Sequence, residues 1–536
     1  MKRTSVLILS EGKNSEEIST IFGDLPSAMV PLNGKPAIAW TIDNLLEQNL
    51  LDINITVGYK KEIVQEYLTE MYGEGKFKYI EADYKKPIGN SIINGIKNVE
   101  SDRVLIILGD IIFKQKIKNF EKSFIMVSKE YTEPNKYCLA RIKEGKIEEA
   151  YDRIKYIPFK NDIYALIGVY YFKNKNFLEN LDDGNEYIEI SDIITEYKKK
   201  DEIDAIICKN WFDISYIDKY YESKIKLLNT RFFNQLEYDS QFNIIYKKSI
   251  TNKEKIKNEI YWYKHLPEEL SIFTPKIIYS KSNDSTIAME YINLPSLSEL
   301  FLYGRNDDKI WERILNKILN TLRIFYRYKG EVKMQEYHEI YVNKTMKRMQ
   351  KLINTNKIFR EITNYDKINI NDEEYLNFFR LANKIEKYYP SLYKKDDNCI
   401  IHGDLCLPNI LYDIRGDLIR LVDPRGIWVN SIYGDVKYDL AKLRHSFAGK
   451  YDFIINDRFE VEKNNNQFKY IIYKNKKHDF LQREFDKKIS KEFDLEQIKF
   501  IEGLLFISML PLHNDNLKRQ IAMYCTGIKN LNEVLV

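Results

Sequence analysis

Short apolar runs alternate with helix-period stretches through residues 4–110, and this alternation does most to narrow the folds open to the chain. TSVLIL (4–9) reads as a buried strand, 37–50 as an apolar-periodic helix, INITVGY (53–59) as a strand and KEIVQEYLTEMYG as a helix. FKYIEA, NSIINGIKNV and RVLIILGD repeat the pattern. Strands alternating with helices build βαβ units, so an α/β, Rossmann-like domain with a mostly parallel sheet is expected to about residue 233.

From about residue 237 the texture changes. A hairpin-like EYDSQFNIIYKKS precedes the helical NKEKIKNEIYWYKHLP, and a further strand pair ends in IAMEYI. After Leu297 the chain reads as mainly helical, with short strands returning at NILYDI and LIRLVD. A small sheet with one helix, followed by a helical lobe, is an α+β, kinase-like order. With 536 residues, more than one core usually supports, the division expected is 1–233 and 234–536.

The balance of charge excludes some partners. A net charge of +4 with 30% charged residues gives no concentrated basic face for nucleic acid or an anionic membrane. The longest apolar stretch, VLIILGDIIF, is interrupted by Gly109 and Asp110, so no membrane insertion is expected. The apolar run in MKRTSVLILSEGK is too short for a signal peptide. A cytoplasmic protein is expected, with five scattered cysteines kept reduced. Oligomeric state is left open.

The sharpest motif is IIHGDLCLPNILYD (400–413), followed by LIRLVDPRG. Phosphoryl transfer needs a carboxylate at the attacking hydroxyl, and an amide oxygen and second carboxylate to hold Mg²⁺ against nucleotide phosphates. Asp404 fits the first role, Asn409 and Asp423 the others. The stretch resembles the aminoglycoside phosphotransferase and choline kinase family, whose loop reads HGDxxxxN with a later strand-end Asp. The resemblance implies ATP as donor, Lys247 or its neighbour Lys248 as the phosphate-contacting lysine, and Glu259 as its ion-pair partner. MEYI, with Glu290, looks like the segment that meets adenine. His402 is expected to brace the loop. Asp435 and Asp439 are read equally as supports of that loop and as helix N-caps. No APE-like anchor follows DPRG, which argues against a protein kinase.

GDLPSAMVPLNGKPAIAW (23–40) resembles the start of sugar-nucleotide pyrophosphorylases and related cytidylyltransferases. ILGD (107–110) and NWFDISYIDKYY (210–221) resemble their metal-binding strand ends, which makes Asp110 and Asp213 the candidate Mg²⁺ ligands. Gly12 and Lys13 in SEGKN stand where the family has a glycine-rich phosphate loop, and Gly89 and Asn90 are candidates for contact with the base. The family's lysine after the loop proline is Ser27 here, so Lys13 and Lys35 are the candidate substitutes.

These resemblances imply a bifunctional transferase. It would phosphorylate a small alcohol, amino alcohol or sugar with ATP, then couple the monoester to a second NTP, CTP or UTP, as in capsule or lipopolysaccharide precursor synthesis. The alternative is an active kinase whose N-terminal half is a non-catalytic nucleotide-binding module. For a cationic acceptor, Tyr261, Trp262, Tyr263, Trp311, Trp428 and Tyr433 are candidate cation–π partners, although 40 tyrosines make ordinary packing the commoner explanation.

Overall fold

A computed structural model describes residues 3–131, 133–154, 162–182, 187–228, 235–249, 253–281 and 286–536. The chain divides into two compact units, 1–227 with 303–305, and 228–302 with 306–536. The boundary expected between 233 and 234 lies outside the described residues.

The first unit is built on a nine-stranded sheet, in the order Lys78–Glu81, Ile53–Val57, Ser5–Leu9, Val104–Leu108, Ile163–Phe172, Phe124–Ser128, Asp204–Ile207, Lys146–Asp152, Cys138–Lys143. The first four strands pair in parallel, and Ser5–Leu9 is buried at every position, as expected of a strand covered on both faces. Helix Ile88–Asn98 lies against it closely enough that a Cβ on Gly95 would come within 2.3 Å of Leu7 Cδ2.

Beyond Asp110 the sheet is mixed. Ile163–Phe172 runs antiparallel to both neighbours, and Lys146–Asp152 forms an antiparallel hairpin with Cys138–Lys143. The reason is local: Glu144 and Gly145, at φ 50° and 76°, make a two-residue turn, and only antiparallel strands can be joined so tightly. The parallel half ends at Leu9, Val57 and Leu108. Gly109 N–H donates to Leu9 O at 2.7 Å, and a Cβ at Gly109 would stand 2.6 Å from that oxygen. This close approach sets Asp110 just past the strand ends, where open α/β sheets collect ligands.

The second unit opens with a four-stranded antiparallel sheet, in the order Gln235–Asp239, Ile244–Lys248, Thr286–Glu290, Ile277–Lys281, and helix Lys253–His265. Helices dominate the rest, with Asp307, Asp435, Asp494 and Asn516 capping Asp308–Phe325, Val436–Phe447, Leu495–Met509 and Leu517–Leu535. Leu495–Met509 is buried around most of its circumference and crosses the last helix at Gly503 and Gly527, where a Cβ on either would lie 3.1–3.2 Å from the other's carbonyl oxygen. The expected helical lobe also contains a second four-stranded sheet, formed by the hairpins Lys367–Ile370/Glu373–Leu376 and Phe459–Asn464/Gln467–Ile472. Asn371 and Asp372, at φ 51° and 67°, make the turn of the first hairpin. Among the described residues no helix is long and apolar enough to cross a membrane.

Candidate active sites

In the second unit, strand Asn398–Ile400 leads into the HGD loop. His402 is buried, and Val422 O, which can only accept, fixes Nε2 as the donor at 3.0 Å; Nδ1 then accepts from Asp404 N–H at 3.3 Å. Burial lowers its pKa to about 4, so the neutral ring braces the loop. Asp439 accepts from His402 N–H at 2.7 Å and Gly403 N–H at 2.8 Å, while Asp435 caps its helix through Lys437 N–H and accepts from Tyr341 Oη–H. The two roles weighed for this pair are thus divided between them. Burial pushes the Asp439 carboxyl up to about 7 against the pull of its two N–H donors. Gly403 has φ 74°, and a Cβ there would meet Arg425 Cβ at 2.9 Å, so both backbone and space call for glycine.

Asp404 faces Lys442, whose Nζ lies 2.9 Å from Oδ1. Burial works to raise the Asp404 pKa, but Lys442 outweighs it and keeps the carboxyl below its usual range. Asn409 Nδ2 donates to Asp404 O at 2.8 Å and reaches Oδ2 at 3.3 Å, which leaves its amide oxygen as the atom available to a cation. Asp423 takes φ 56°, an unfavourable conformation for a non-glycine residue, at the point where its carboxylate is presented.

Lys247 lies inside the sheet and Lys248 outside. Lys247 Nζ sits 2.7 Å from Glu259 Oε2 and 2.6 Å from Asp423 Oδ1. Burial favours the neutral amine, yet the two carboxylates together raise the Lys247 pKa above the usual lysine value. Glu290 is exposed at the end of its strand with its N–H taken by Lys276 O at 2.9 Å. The aromatic candidates do not form a common box: Trp262 packs on Phe325 and His402, Trp311 on Phe301, Trp428 on Tyr337 and Tyr341, and Tyr261 stacks on His265.

In the first unit Asp110 and Asp213 converge on Ser215, whose Oγ–H donates to Asp110 Oδ2 at 3.2 Å and whose N–H donates to Asp213 Oδ1 at 2.8 Å. Tyr137 Oη–H adds 2.8 Å to Asp213 Oδ2. Burial, then the neighbouring Asp213, pushes the Asp110 carboxyl up to about 6. Buried Glu11, held by Thr56, adds a third negative charge nearby. A buried carboxyl raised by burial and by a neighbouring carboxylate suits a divalent cation, and Asp110 and Asp213 are the donors that would hold Mg²⁺. Among the described residues no three His, Cys, Asp or Glu side chains converge as a metal site.

The remaining first-unit candidates are engaged locally. Ser27 N–H donates to Gly12 O at 3.0 Å, and a Cβ on Gly12 would lie 3.2 Å from Ser27 Oγ. Lys13 stands 4.0 Å from Asp24 and 5.4 Å from the Tyr59 ring centre. Lys35 pairs with Asp43 and lies 4.1 Å over Trp40. Asn90 Oδ1 accepts from Ile188 N–H at 3.0 Å, and a Cβ on Gly89 would come within 2.2 Å of Ile188 O. These two residues therefore hold the 188 segment in place.

Sequence reasoning missed Lys442, Ser215, Glu11 and Tyr137. Lys442 carried a signal, since it follows Asp439 by one helical turn within GDVKYDLAKL. Ser215 follows Asp213 by two residues in WFDIS.

Each unit carries a pair of carboxylates, Asp110 with Asp213 in the first and Asp404 with Asp423 in the second, and the family comparisons make the chain a transferase. Residues 8–230 match the Nucleotidyl transferase family model and 244–460 the Phosphotransferase enzyme family model; the chain joins a domain of each family and is an enzyme. It is similar to the UTP–glucose-1-phosphate uridylyltransferase AglF of Haloferax volcanii, 24% identical over 236 residues that make up 41% of this chain and 95% of that protein. It is also similar to a D-glycero-alpha-D-manno-heptose 1-phosphate guanylyltransferase of Campylobacter jejuni, 25% identical over 211 residues, 38% of this chain and 91% of the relative. HddC from Yersinia pseudotuberculosis, solved with GMP-PN, aligns with a TM-score of 0.33 at 20% identity, covering 42% of this chain and 99% of that structure.

Proposed function

We propose that the protein catalyses two consecutive reactions, phosphorylation of a small alcohol by ATP and coupling of the resulting monoester to a second nucleotide. The observation that carries this reading is the pairing, in one chain, of the Asp404–Lys442 and Lys247–Glu259–Asp423 constellation with the Asp110–Ser215–Asp213 bridge.

In the first reaction Asp404 accepts the proton of the acceptor hydroxyl as its oxygen bonds to the γ-phosphorus of ATP and the bond to ADP breaks. Lys247 holds the donor phosphates and is itself held by Glu259. Mg²⁺ on Asn409 and Asp423 would neutralise phosphate charge. In the second reaction a monoester oxygen bonds to the α-phosphorus of the NTP and pyrophosphate leaves; Asp110 and Asp213 would hold Mg²⁺, which would supply positive charge against the developing negative charge. The domains proposed to carry these steps are 1–233 and 234–536, in the cytoplasm. The uridylyltransferase and the guanylyltransferase named above are named for sugar 1-phosphates, which supports a phosphate monoester as the second substrate. CTP or UTP is the proposed nucleotide, and a capsule or lipopolysaccharide precursor the proposed product.

One observation favours a second reading, a first unit that binds nucleotide without turnover. Ser27 replaces the expected lysine, and Lys35 is already paired with Asp43. The test is release of ADP and pyrophosphate by the full chain with an acceptor, ATP, Mg²⁺ and each of CTP, UTP, GTP and dTTP. Pyrophosphate release with one nucleotide, dependent on ATP, supports two reactions; ADP release with tight nucleotide binding and no pyrophosphate supports the binding module.

A further inference from the structure

Next to Asp404 the second unit gathers cations that have no carboxylate to neutralise them. Lys344 and Arg348 lie one turn apart on helix Lys344–Thr355, and Arg425 follows Asp423 in DPRG. Two of the three touch Tyr438, and Arg348 acts on it electrostatically: Lys344 Nζ is 3.3 Å and Arg425 Nη1 3.0 Å from its hydroxyl oxygen. Lys344 Nζ also lies 5.5 Å and Arg425 Cζ 5.9 Å from the ring centre. Arg348 donates to Ser508 O at 2.9 Å. Among the described residues none of the three forms an ion pair with an acidic side chain.

The electrostatic consequence is visible on each member. Burial lowers the Lys344 pKa to about 8, with Arg425 and Arg348 adding to the fall. Burial would raise the Tyr438 phenol, but Lys344, Arg425 and Lys442 outweigh it and bring it down to about 7. Half-buried cations crowded on one another are costly unless something anionic joins them.

The cluster is also placed to meet an acceptor. Tyr438 and Lys442 are four residues apart on helix Val436–Phe447, hence on one face and about 6 Å apart at their Cβ atoms. Lys442 grips Asp404, and Arg425 N–H donates to His402 O at 3.0 Å while its side chain covers Gly403. A molecule whose hydroxyl reaches Asp404 would extend the rest of its few atoms toward Lys344, Arg348 and Arg425.

We infer that the acceptor is an anionic alcohol, one bearing a carboxylate or phosphate within a few bonds of the hydroxyl that is phosphorylated, and that Lys344, Arg348 and Arg425 around Tyr438 are the site for that anion. This inference rests on the kinase reading of Asp404 and specifies the acceptor class that the reading left open. It opposes an amino alcohol such as choline, whose cation would add to the repulsion. The bonds made and broken are those of ordinary phosphorylation: the acceptor hydroxyl oxygen joins the γ-phosphorus, ADP departs and the proton passes to Asp404.

The experiment has two arms on the full chain. In the first, ADP release with Mg·ATP is measured with glycerol, ethanolamine, D-glycerate and glycerol 3-phosphate. An anionic member should exceed glycerol and ethanolamine at least tenfold in kcat/KM, and Lys344→Met or Arg348→Met should raise its KM tenfold or more and remove most of its kcat/KM advantage over glycerol. Glycerol or ethanolamine matching the anions would overturn the inference. In the second arm, which needs no turnover, inorganic phosphate is titrated at constant ionic strength and Tm is followed. Wild type should gain more than Lys344→Met/Arg348→Met, and equal gains would overturn the anion site even if the kinase is active. The kinase reading fails separately if no alcohol of any charge, including neutral sugars, supports ADP release above that of Asp404→Asn.

Discussion

Lys247 Nζ and Asp423 Oδ1, 176 residues apart in the chain, stand 2.6 Å from one another, with Glu259 closing the other side of the lysine at 2.7 Å. The arrangement is a triad in which one buried cation lies between two carboxylates, Glu259 completely buried and Asp423 half-exposed. Lys247→Met leaves that charge uncompensated and should cost about 3–5 kcal/mol. Lys247→Met/Glu259→Leu should recover most of the loss without recovering Mg·ATP binding. Urea unfolding and calorimetry check the two halves of the prediction; a single variant as stable as wild type would remove the triad's structural role.

Lys442 is predicted to set the acid limit of the kinase reaction. It counters the burial of Asp404 and holds that carboxyl below its usual range, so Lys442→Met removes the strongest opposition to burial and the Asp404 pKa rises. The acidic limb of kcat/KM for ATP-dependent phosphorylation should then move to higher pH by about one unit or more. A profile unchanged in shape would show that another group titrates on that limb.

For Asp110 the sign is the reverse of an ordinary surface carboxylate. Its folded pKa of about 6 lies above the ordinary aspartate value of 3.8, so the folded state binds the extra proton between those values. Stability contributed by the protonated form is present below pH 3.8 and is lost as pH rises through about 6. The penalty at neutral pH is at most about 3 kcal/mol, reduced by whatever solvent screens at this half-buried site. At pH 7.5 without Mg²⁺, Asp110→Asn should melt above wild type. Added Mg²⁺ should raise wild type more than the variant. A variant that melts lower, with the same response to Mg²⁺, would contradict the paired-carboxylate site.

His402 gives a second linkage test. Its folded pKa of about 4 lies below the ordinary histidine value of 6.5, so the unfolded chain takes up the proton first and stability falls as pH drops from 6.5 toward 4. The full drop is about 3 kcal/mol. His402→Gln should flatten that part of the stability–pH curve, measured as Tm from pH 7.5 to 4.5; an equally steep curve would assign the slope to other groups.

What could be read from residue order was whatever lies within a few positions. HGDLCLPN puts Asp404 and Asn409 on one loop, and the apolar runs through residue 110 yield the parallel half of the first sheet. The antiparallel half was missed because the Glu144–Gly145 turn is weak punctuation beside the strong helix–strand alternation that precedes it. The Asn371–Asp372 hairpin was lost within a helical reading in the same way. The cationic cluster was invisible for a different reason. Lys344 and Tyr438 meet across 94 residues, and a lone lysine on a polar helix face gives no hint of its counterpart. Gly89 and Asn90 also hold the 188 segment, a packing role that a Gly-Asn pair at a helix start does not announce.

The order of the two reactions is the central claim, and ³¹P NMR of three proteins tests it most directly. Wild type, Asp404→Asn and Asp110→Ala are each incubated with Mg²⁺, ATP, the second NTP and a panel of sugars, polyols, amino alcohols and anionic alcohols. The account predicts a nucleotide-linked product and pyrophosphate from wild type, the phosphate monoester alone from Asp110→Ala, and neither from Asp404→Asn until the purified monoester is supplied. A nucleotide-linked product from Asp404→Asn and the unphosphorylated acceptor would contradict it.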